Sequence, residues 1–454
     1  MSQQNTTIAL GTEDVGKLLT RYAWPAIVAM TATSLFNITD SIFIGHGVGP
    51  LAISGLAITF PLMNLAAAFG SLVGIGASTL MSVRLGQKDY ETANKVLGNV
   101  FVLNIILGLA FSVVTLAFLD PILMFFGASS ETLPYAREYM TVILAGNVIT
   151  HMYLGLNALL RSSGNPKKAM FATIFAVIIN LILNPLFIFT FKMGIKGSAL
   201  ATIISQILML AWQISIFSNK KNFVHLKKGV FRLERKIVVD SMAIGLSPFF
   251  INAASSLLVI IINQSLSKYG GDLSVGAYGI VNRVVFLFGM VVMGFNQGMQ
   301  PIAGYNYGAL QFKRVDAVFR KTIVLSTIVL AAGFVTGQFF PHAVASMFTT
   351  DAELTERAVK GLRMVTLFFP LLGVQFVTVQ LFQSIGMAKK SIFLSMTRQL
   401  LFFLPCVLIF PSIWGADGVW YSFPAADIAS AIVSTIFLVK LLRKFKNAVE
   451  PEFE

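Results

Sequence analysis

Apolar residues form runs of about 20 along the chain, and short segments between the runs hold most of the charged residues. A helix needs about 20 apolar residues to cross the roughly 30 Å hydrocarbon core of a bilayer, and it must satisfy its backbone hydrogen bonds internally. The pattern therefore predicts an all-α polytopic membrane protein with twelve transmembrane helices. The predicted spans are 17–45, 50–83, 95–119, 136–161, 168–191, 196–217, 236–266, 274–303, 317–341, 357–385, 391–411 and 415–441.

The composition supports this prediction. Of the 454 residues, 56% are hydrophobic and only 12% are charged, whereas a soluble domain carries about 25% charged residues. A single cysteine, Cys406, excludes a disulfide within the chain and metal clusters of the Cys/His kind. The N-terminal residues are polar and lack a small-residue cleavage site, so we expect no cleavable signal peptide.

The basic residues concentrate in alternate loops. The richest of these is the segment "NKKNFVHLKKGVFRLERK" at 219–236, and both termini also carry lysine and arginine. By the positive-inside rule, both termini and this central segment are predicted to be cytoplasmic. Topology therefore accounts for the net charge of +14, and we expect no nucleic-acid partner.

The sequence also repeats itself. "RLGQKDYETANKVL" at 84–97 resembles "NYGALQFKRVDAVF" at 306–319, and "GNPKKAMF" at 164–171 resembles "GMAKKSIF" at 386–393, with a displacement of about 222 residues. This predicts two duplicated six-helix bundles, 1–217 and 236–454, joined by a basic cytoplasmic linker at 218–235. Because six is even, the bundles should be related by an axis along the membrane normal, with a central cleft typical of transporters.

One acidic residue, Asp40, lies within the first apolar span. An ionised aspartate at mid-helix depth costs about 2.5–3.5 kcal/mol, so we expect this side chain to face inward, to be paired, or to be protonated. Desolvation raises the pKa of a carboxyl group in general, which makes Asp40 our candidate for ion coupling. The alternative is a structural carboxylate that caps a neighbouring helix.

Further polar side chains recur at helical spacing in the first half. Asn180 and Asn184 lie four residues apart, and so share one face of a helix. Such faces could line a cavity around Asp40, or they could join helices through hydrogen bonds worth about 0.6 kcal/mol each. For Ser198 and Gln206 the second interpretation is favoured. The other residues at this spacing are Asn37, Tyr153, Asn157 and Thr202.

The second half has its own candidates. Asn263 aligns roughly with Asp40, and is a candidate cavity residue. Arg398 and Asp427 lie within apolar spans, where we expect them to form an ion pair; a substrate or proton role for Asp427 is the alternative. In the first span Pro25 removes one backbone hydrogen bond and permits bending, so it is a candidate conformational hinge.

Signals for catalysis are absent. The four histidines show no zinc spacing, and "GVGPLAISG" at 47–55 lacks the Lys-Ser/Thr of a phosphate-binding loop. We therefore expect no catalytic residues, no metal site and no cofactor. The energy for transport must then come from an ion gradient.

Two longer motifs connect the chain to a known family. "NALLRSSGNPKKAMFATIFAVIINLILNPLFIF" at 157–189 and "GADGVWYSFPAAD" at 415–427, together with Asp40 and the repeat, resemble the multidrug and toxic compound extrusion (MATE) family. The similarity is nearest to the bacterial branch with DinF-like and MepA-like members. It implies two lobes in a V shape and secondary antiport, in which organic, mainly cationic compounds leave while protons or sodium ions enter.

The resemblance also implies that Asp40, Asn180, Asn184 and Thr202 take part in ion coupling. Many relatives carry an aspartate where this chain has Asn184, and the acids that some members use in helices 7 and 10 are missing. These departures favour H+ over Na+ as the coupling ion.

The sequence thus predicts a monomeric antiporter in the lipid bilayer of the bacterial cytoplasmic membrane, with small organic cations as substrates. The alternative is a flippase for lipid-linked precursors, which shares the twelve-helix plan. A flippase would need a cationic cavity, and only Arg283 and Arg398 offer charge within the spans. A membrane enzyme is a third class, which no constellation of residues supports.

Overall fold

A computed structural model describes residues 3–227, 229–348 and 351–447 of the protein. Within these ranges the side chains at 3–6, 37, 38, 50, 272 and 447 lie outside the description. The predicted cavity residue Asn37 is therefore placed on a helix, but its side chain is among those not described.

The described residues are helical and contain no strand. In the described part of the chain, ten helices are long and apolar enough to cross a membrane, and the number is twelve if each of two bent pairs forms one span. This confirms the predicted all-α polytopic fold. In the first half the helices are α1 (Gln3–Thr12), α2 (Val15–Gly47), α3 (Pro50–Gly86), α4 (Tyr90–Ala117), α5 (Leu119–Phe125), α6 (Leu133–Ala145), α7 (Asn147–Ser162), α8 (Pro166–Pro185), the π-helical segment π1 (Leu186–Thr190) and α9 (Ile195–Phe217).

The second half continues with one long element, α10 (Arg235–Gly308), which contains two predicted spans. Gly271, with φ of 70°, breaks its helical geometry between them, and glycine adopts this conformation without steric cost. The remaining helices are α11 (Phe312–Phe339), α12 (Pro341–Ser346), α13 (Ala352–Thr366), α14 (Phe369–Ser384), α15 (Ala388–Met396), the π-helical segment π2 (Thr397–Phe403), α16 (Leu404–Trp414) and α17 (Ala416–Asn447).

Two predicted spans, 136–161 and 357–385, are each broken into two helices. The bend between α6 and α7 is 56°, and the bend between α13 and α14 is 52°. Gly146, a poor helix former, lies at the first break. At the second break, proline occupies the first turn of α14, where its missing N–H is tolerated. The two breaks lie at corresponding positions of the sequence repeat.

Contacts divide the chain into two compact units. The first contains Met1–Thr12 and Val28–Phe249, and the second contains Glu13–Ile27 and Phe250–Glu454. This division runs through α2 and α10. The domain limits predicted from the sequence follow the repeat and stay a prediction.

Each unit has its own apolar core. In the first unit, Ile44, Leu123, Leu144 and Ile203 are among the buried residues, so the end of α2 packs with α5, α6 and α9. In the second unit, the core residues include Leu266, Val281, Leu362, Phe403 and Trp420. The first core therefore closes around the part of α2 that carries Asp40, since Ile44 lies one helical turn further on.

The connection between α9 and α10 is held against α4 by two buried asparagines. Asn94 donates from Nδ2 to the carbonyl oxygen of Phe223 (3.0 Å) and accepts from the backbone N–H of His225 (2.7 Å). Asn99 donates to the carbonyl oxygen of Arg232 (3.1 Å) and accepts from the N–H of Glu234 (3.0 Å). Most of the predicted linker is therefore ordered and packs against α4 of the first unit.

Glycines bring α3 and the start of α10 into close contact within the first unit. A Cβ atom at Gly76 would lie well under 3.0 Å from the carbonyl oxygen of Ser241, and one at Gly245 would meet the carbonyl oxygen of Leu72 in the same way. Both obstacles are backbone atoms, which cannot rotate aside.

We expect Gly76→Ala to lower the free energy of unfolding by at least about 1–3 kcal/mol, the typical cost of overpacking. Thermal denaturation in detergent measures the change. Gly279→Ala is the matched control, because a Cβ there meets nothing within 4 Å; it should be neutral or stabilise by about 0.5–1 kcal/mol. Equal stability of the two variants would contradict the close packing of α3 on α10.

Candidate functional site

Asp40 lies on α2 with only 6% of its surface exposed. Its Oδ1 atom accepts hydrogen bonds from Asn184 Nδ2 at the end of α8 and from Ser198 Oγ in the first turn of α9. Among the described residues, no lysine, arginine or histidine forms an ion pair with it. The carboxyl group is therefore buried with neutral donors only.

The network continues from Asn184 along α8 and α9. Asn184 Nδ2 lies 3.4 Å from Asn180 Oδ1, and Asn180 Nδ2 donates to Thr202 Oγ1 at 3.0 Å. Thr202 in turn donates to the carbonyl oxygen of Ser198 at 3.2 Å. The structure thus brings together the four residues predicted for ion coupling, Asp40, Asn180, Asn184 and Thr202. Their role in coupling stays a prediction.

Ser198 is the residue that sequence reasoning undervalued. Its position in the 198, 202, 206 series suggested only a contact between helices, yet its hydroxyl donates directly to Asp40. Two features of the sequence could have indicated this contact: the four-residue spacing of positions 198, 202 and 206, and the place of Ser198 near the start of a predicted helix. A small hydroxyl residue in the first turn can point across to a neighbouring helix.

Local backbone features place both donors. Asn184 precedes Pro185, and the chain then forms π1 before the turn at Gly194, whose φ is 59°. Single π-helical turns occur frequently at functional sites, because they change the direction of side chains relative to a regular helix. The end of α8 and the start of α9 consequently face the same point on α2.

The chemistry of this arrangement suits a carboxyl group that changes its charge. An amide offers a donor and an acceptor, whereas an ionised carboxylate offers acceptors only. Asn184 donates from Nδ2, while its buried Oδ1 has no hydrogen-bond partner. By rotating its amide, Asn184 could donate to an ionised Asp40 or accept from a protonated one.

The other candidates in the first unit belong to neighbouring contacts. Gln206 Oε1 accepts from Thr150 Oγ1 at 2.6 Å. Tyr153 donates to the carbonyl oxygen of Ala172 at 3.4 Å, and Asn157 donates to the carbonyl oxygen of Ala169 at 2.9 Å. These side chains lie along α7 and α9, but none of them bonds directly to Asp40.

In the second unit, Asp427 Oδ1 accepts from Arg398 Nε at 2.8 Å, which confirms the predicted ion pair. Asp427 is 1% exposed and Arg398 is 21% exposed, and the guanidinium lies 5.6 Å from the centre of the Phe376 ring. The second carboxylate oxygen, Oδ2, is buried without a hydrogen-bond partner. Arg398 lies in π2, so a π-helical segment adjoins this acid as well.

For two further candidate residues, Asn263 and Pro25, the structure gives the position, and their predicted roles stay predictions. Asn263 is half-buried on α10 in the second unit. Pro25 is buried within α2, two residues before α2 passes from the second unit to the first. Across the part of the chain that the structure describes, no three His, Cys, Asp or Glu side chains cluster as a metal site would require.

Comparison with known proteins gives a consistent result. The sequence model of the MatE family matches residues 25–186 and 248–408, and the second match begins about 223 residues after the first. The multidrug export protein MepA of Staphylococcus haemolyticus is 26% identical over 436 residues, covering 94% of this chain and 94% of that protein. The two matches of the family model are displaced by nearly the same distance as the sequence repeat.

Two solved structures share the whole fold. One is described as the outward-facing conformation of a multidrug resistance MATE family transporter of the MOP superfamily; it has a TM-score of 0.89 at 25% identity, covering 97% of this chain and 98% of that one. The other, described as a crystal structure of MATE in the bent conformation, has a TM-score of 0.91 at 25% identity with the same coverage.

The ion pair of the second unit generates a stability prediction. Asp427→Leu should lower the free energy of unfolding by about 3 kcal/mol, since it leaves Arg398 without its counter-ion, whereas the double variant Arg398→Met/Asp427→Leu should remain near the parent. Thermal denaturation in detergent compares them. Asp417→Leu is the control, because its pair with Lys360 is exposed and worth about 0–1 kcal/mol. A double variant as unstable as Asp427→Leu would contradict the ion-pair interpretation.

Proposed function

The chain belongs to the MatE family, and from this membership we propose that it is an H+-coupled antiporter that exports organic, mainly cationic compounds across the bacterial cytoplasmic membrane. It is a multi-pass membrane protein and a secondary transporter rather than an enzyme. We propose that it acts as a monomer with both termini in the cytoplasm. Multidrug export is also the activity in the name of the relative described above.

The observation that carries the proposal is the surroundings of Asp40. Its carboxyl group is buried and bonded to two neutral donors, Asn184 and Ser198. A basic partner would favour the ionised form, and Asp427 in the second unit has such a partner in Arg398, whereas Asp40 has none among the described ion pairs. With neutral partners, neither form of Asp40 is fixed by an opposite charge, and we propose that both forms occur during a transport cycle.

Protonation of Asp40 would change how tightly α2 is held by α8 and α9. A hydrogen bond to a charged group contributes about 1.5–3 kcal/mol, compared with about 0.5–1.5 kcal/mol for a neutral one. Two such bonds therefore differ by about 2–3 kcal/mol between the charge states of Asp40. Since 1.4 kcal/mol corresponds to a factor of ten, this difference can shift a two-state equilibrium by roughly 30- to 150-fold.

The proposed cycle follows from this difference. A proton from outside binds Asp40, the charge-assisted bonds weaken, and α2 moves relative to α8 and α9. Pro25 lies beside the point where α2 passes from one compact unit to the other, which makes it a suitable hinge. Substrate leaves, the protein opens inward, and Asp40 releases its proton to the cytoplasm and accepts a new cation.

The site favours H+ over Na+ as the coupling ion. Sodium requires several oxygen ligands, and a second carboxylate would supply them together with negative charge. Here position 184 carries an amide whose Nδ2 points to Asp40. A proton needs only the single carboxyl group, and each unit of pH difference supplies about 1.36 kcal/mol per proton.

The charges within the spans support a cationic substrate. A flippase for lipid-linked precursors would need free basic groups to bind phosphate, and Arg398 is already bonded to Asp427. An organic cation can instead take the place of the proton beside the ionised Asp40. The candidate cavity residues of the first unit, Tyr153, Asn157 and Gln206, would contribute to its binding.

The test is efflux of a fluorescent cationic dye from proteoliposomes. We expect a pH gradient alone to drive efflux by the intact chain, and a sodium gradient alone to fail. Asp40→Asn should reduce the rate to that of empty liposomes, because an amide cannot carry the proton.

Asp417→Asn is the matched control, since it removes an exposed acid near a helix start. It should retain the parental rate. If Asp40→Asn exported the dye at the rate of the intact chain, coupling at this residue would be refuted. If only a sodium gradient drove efflux, H+ would be refuted as the coupling ion. Translocation of a labelled lipid without dye efflux would favour the flippase.

A further inference from the structure

The end of the linker exposes large apolar side chains beside basic ones. Phe231 is 46% exposed and Leu233 is 40% exposed. Both precede the predicted span that begins at 236, so neither is needed to cross the membrane. Apolar side chains interspersed with lysine and arginine are typical of segments that lie in a membrane–water interface. We call residues 229–236 the linker end.

The linker end also carries an excess of positive charge. Arg232, Arg235 and Lys236 are all exposed, and Glu234 is its one acidic residue. The Oε1 atom of Glu234 lies 3.1 Å from Nζ of Lys95 on α4, so this acid already has a basic partner. None of the three basic side chains takes part in an ion pair within the part of the chain that the structure describes. Three exposed cationic groups are therefore available to an external anion.

Contacts with α4 hold the backbone of the linker end in place. Buried Asn99 bonds to backbone groups of Arg232 and Glu234, as described above. A Cβ atom at Gly98 would lie well under 3.0 Å from the carbonyl oxygen of Val230, so the two backbones are in direct contact. Because these contacts already order the backbone, little further conformational entropy is lost when a ligand binds its side chains.

The same contacts place the linker end at the membrane boundary. The ring of Phe231 packs against the ring of Phe101 on α4, with 5.9 Å between the centroids and an interplanar angle of 89°. Phe101 lies less than two helical turns inside the predicted span 95–119. The adjoining helix α10, which begins at Arg235, also starts with a stretch long and apolar enough to cross a membrane. The linker end therefore lies where two membrane helices begin.

We propose that the linker end is a docking site for anionic phospholipids in the leaflet on its side of the membrane. Arg232, Arg235 and Lys236 bind the phosphate of the headgroup, and Phe231 and Leu233 contact the upper part of the acyl chains. Each lysine or arginine near an anionic membrane surface contributes about fivefold to the affinity. The positive-inside rule predicts that this leaflet is the cytoplasmic one. The inference does not depend on the coupling ion or on the substrate.

Topology alone does not account for this arrangement. The positive-inside rule explains why the linker contains basic residues, but it requires neither exposed apolar neighbours nor a fixed backbone. A topology signal acts while the chain inserts into the membrane. It would leave the folded protein without a preference for one headgroup over another, whereas a docking site produces such a preference.

The test measures lipid binding to the purified full chain in detergent by native mass spectrometry. The parent should bind anionic phosphatidylglycerol about tenfold or more tightly than zwitterionic phosphatidylcholine. Arg232→Gln/Arg235→Gln/Lys236→Gln should weaken phosphatidylglycerol binding by on the order of 100-fold, about fivefold for each base removed. Phosphatidylcholine binding should not change. Salt screens exposed charges, so the preference of the parent should shrink at high ionic strength.

The matched control removes the same charge elsewhere. Arg443→Gln/Lys444→Gln/Lys446→Gln replaces three exposed bases at the end of α17, after the predicted span 415–441, and should bind phosphatidylglycerol as the parent does. Thermal denaturation without lipid should give the parental midpoint for both triple variants, because the replaced side chains are all exposed.

Two further variants separate the charge from the apolar contact. Arg232→Lys/Arg235→Lys keeps the charge and should retain the affinity for phosphatidylglycerol within about fivefold, since lysine binds phosphate as a point charge. Leu233→Ser keeps every charge and should weaken binding by a few fold, because it removes part of the contact with the acyl chains. Free glycerol phosphate, which lacks those chains, should not displace the lipid at equal concentration.

Three outcomes would overturn the inference. The linker-end triple variant could bind phosphatidylglycerol as tightly as the parent does. The α17 triple variant could lose as much affinity as the linker-end variant, which would show that binding follows net charge alone. Free glycerol phosphate could displace the lipid, which would make the site one for phosphate and not for phospholipid. No transport is measured, so none of these results bears on the proposed antiport, and a failure of antiport leaves the docking site intact.

Discussion

The hydrogen bonds from Asn184 and Ser198 to Asp40 are the interaction on which the site depends. They join α2 to α8 and α9 through one carboxyl group, within a core that excludes water. Because both donors are neutral, the charge of Asp40 determines the strength of these two hydrogen bonds. The proposed coupling at Asp40 rests on this junction, because the charge of one carboxyl group acts on contacts between three helices.

The buried acids of the two compact units have different kinds of partner. Asp40 in the first unit has amide and hydroxyl partners, whereas Asp427 in the second unit is bonded to Arg398. An ion pair adds Coulomb attraction to the hydrogen bond, which neutral amide and hydroxyl donors do not supply. The duplication thus supplies two similar helical frameworks, with a buried acid bonded to neutral donors in one and an acid paired with arginine in the other. A π-helical segment beside each acid adjusts the direction of the side chains that meet it.

Most of the fold was predictable from sequence, because its causes are local. Runs of apolar residues determine which segments can cross a membrane, and self-similarity indicates the duplication, which the two matches of the family model repeat. The breaks at Gly146 and at the start of α14 were not predicted. Glycine and proline are common in membrane helices and usually tolerated there, so neither residue by itself indicates a bend of more than 50°.

By itself the sequence determined which helices carry polar side chains, at which spacing, and that Asp40 is the one acid within the first predicted span. Only the tertiary structure decided that Ser198 donates to Asp40, that Thr150 meets Gln206, and that Arg398 pairs with Asp427. The physical reason is that spacing defines a face of a helix, while a hydrogen bond also requires the rotation and depth of both helices. In an apolar environment those depend on the packing of many side chains from distant parts of the chain, which no local pattern records.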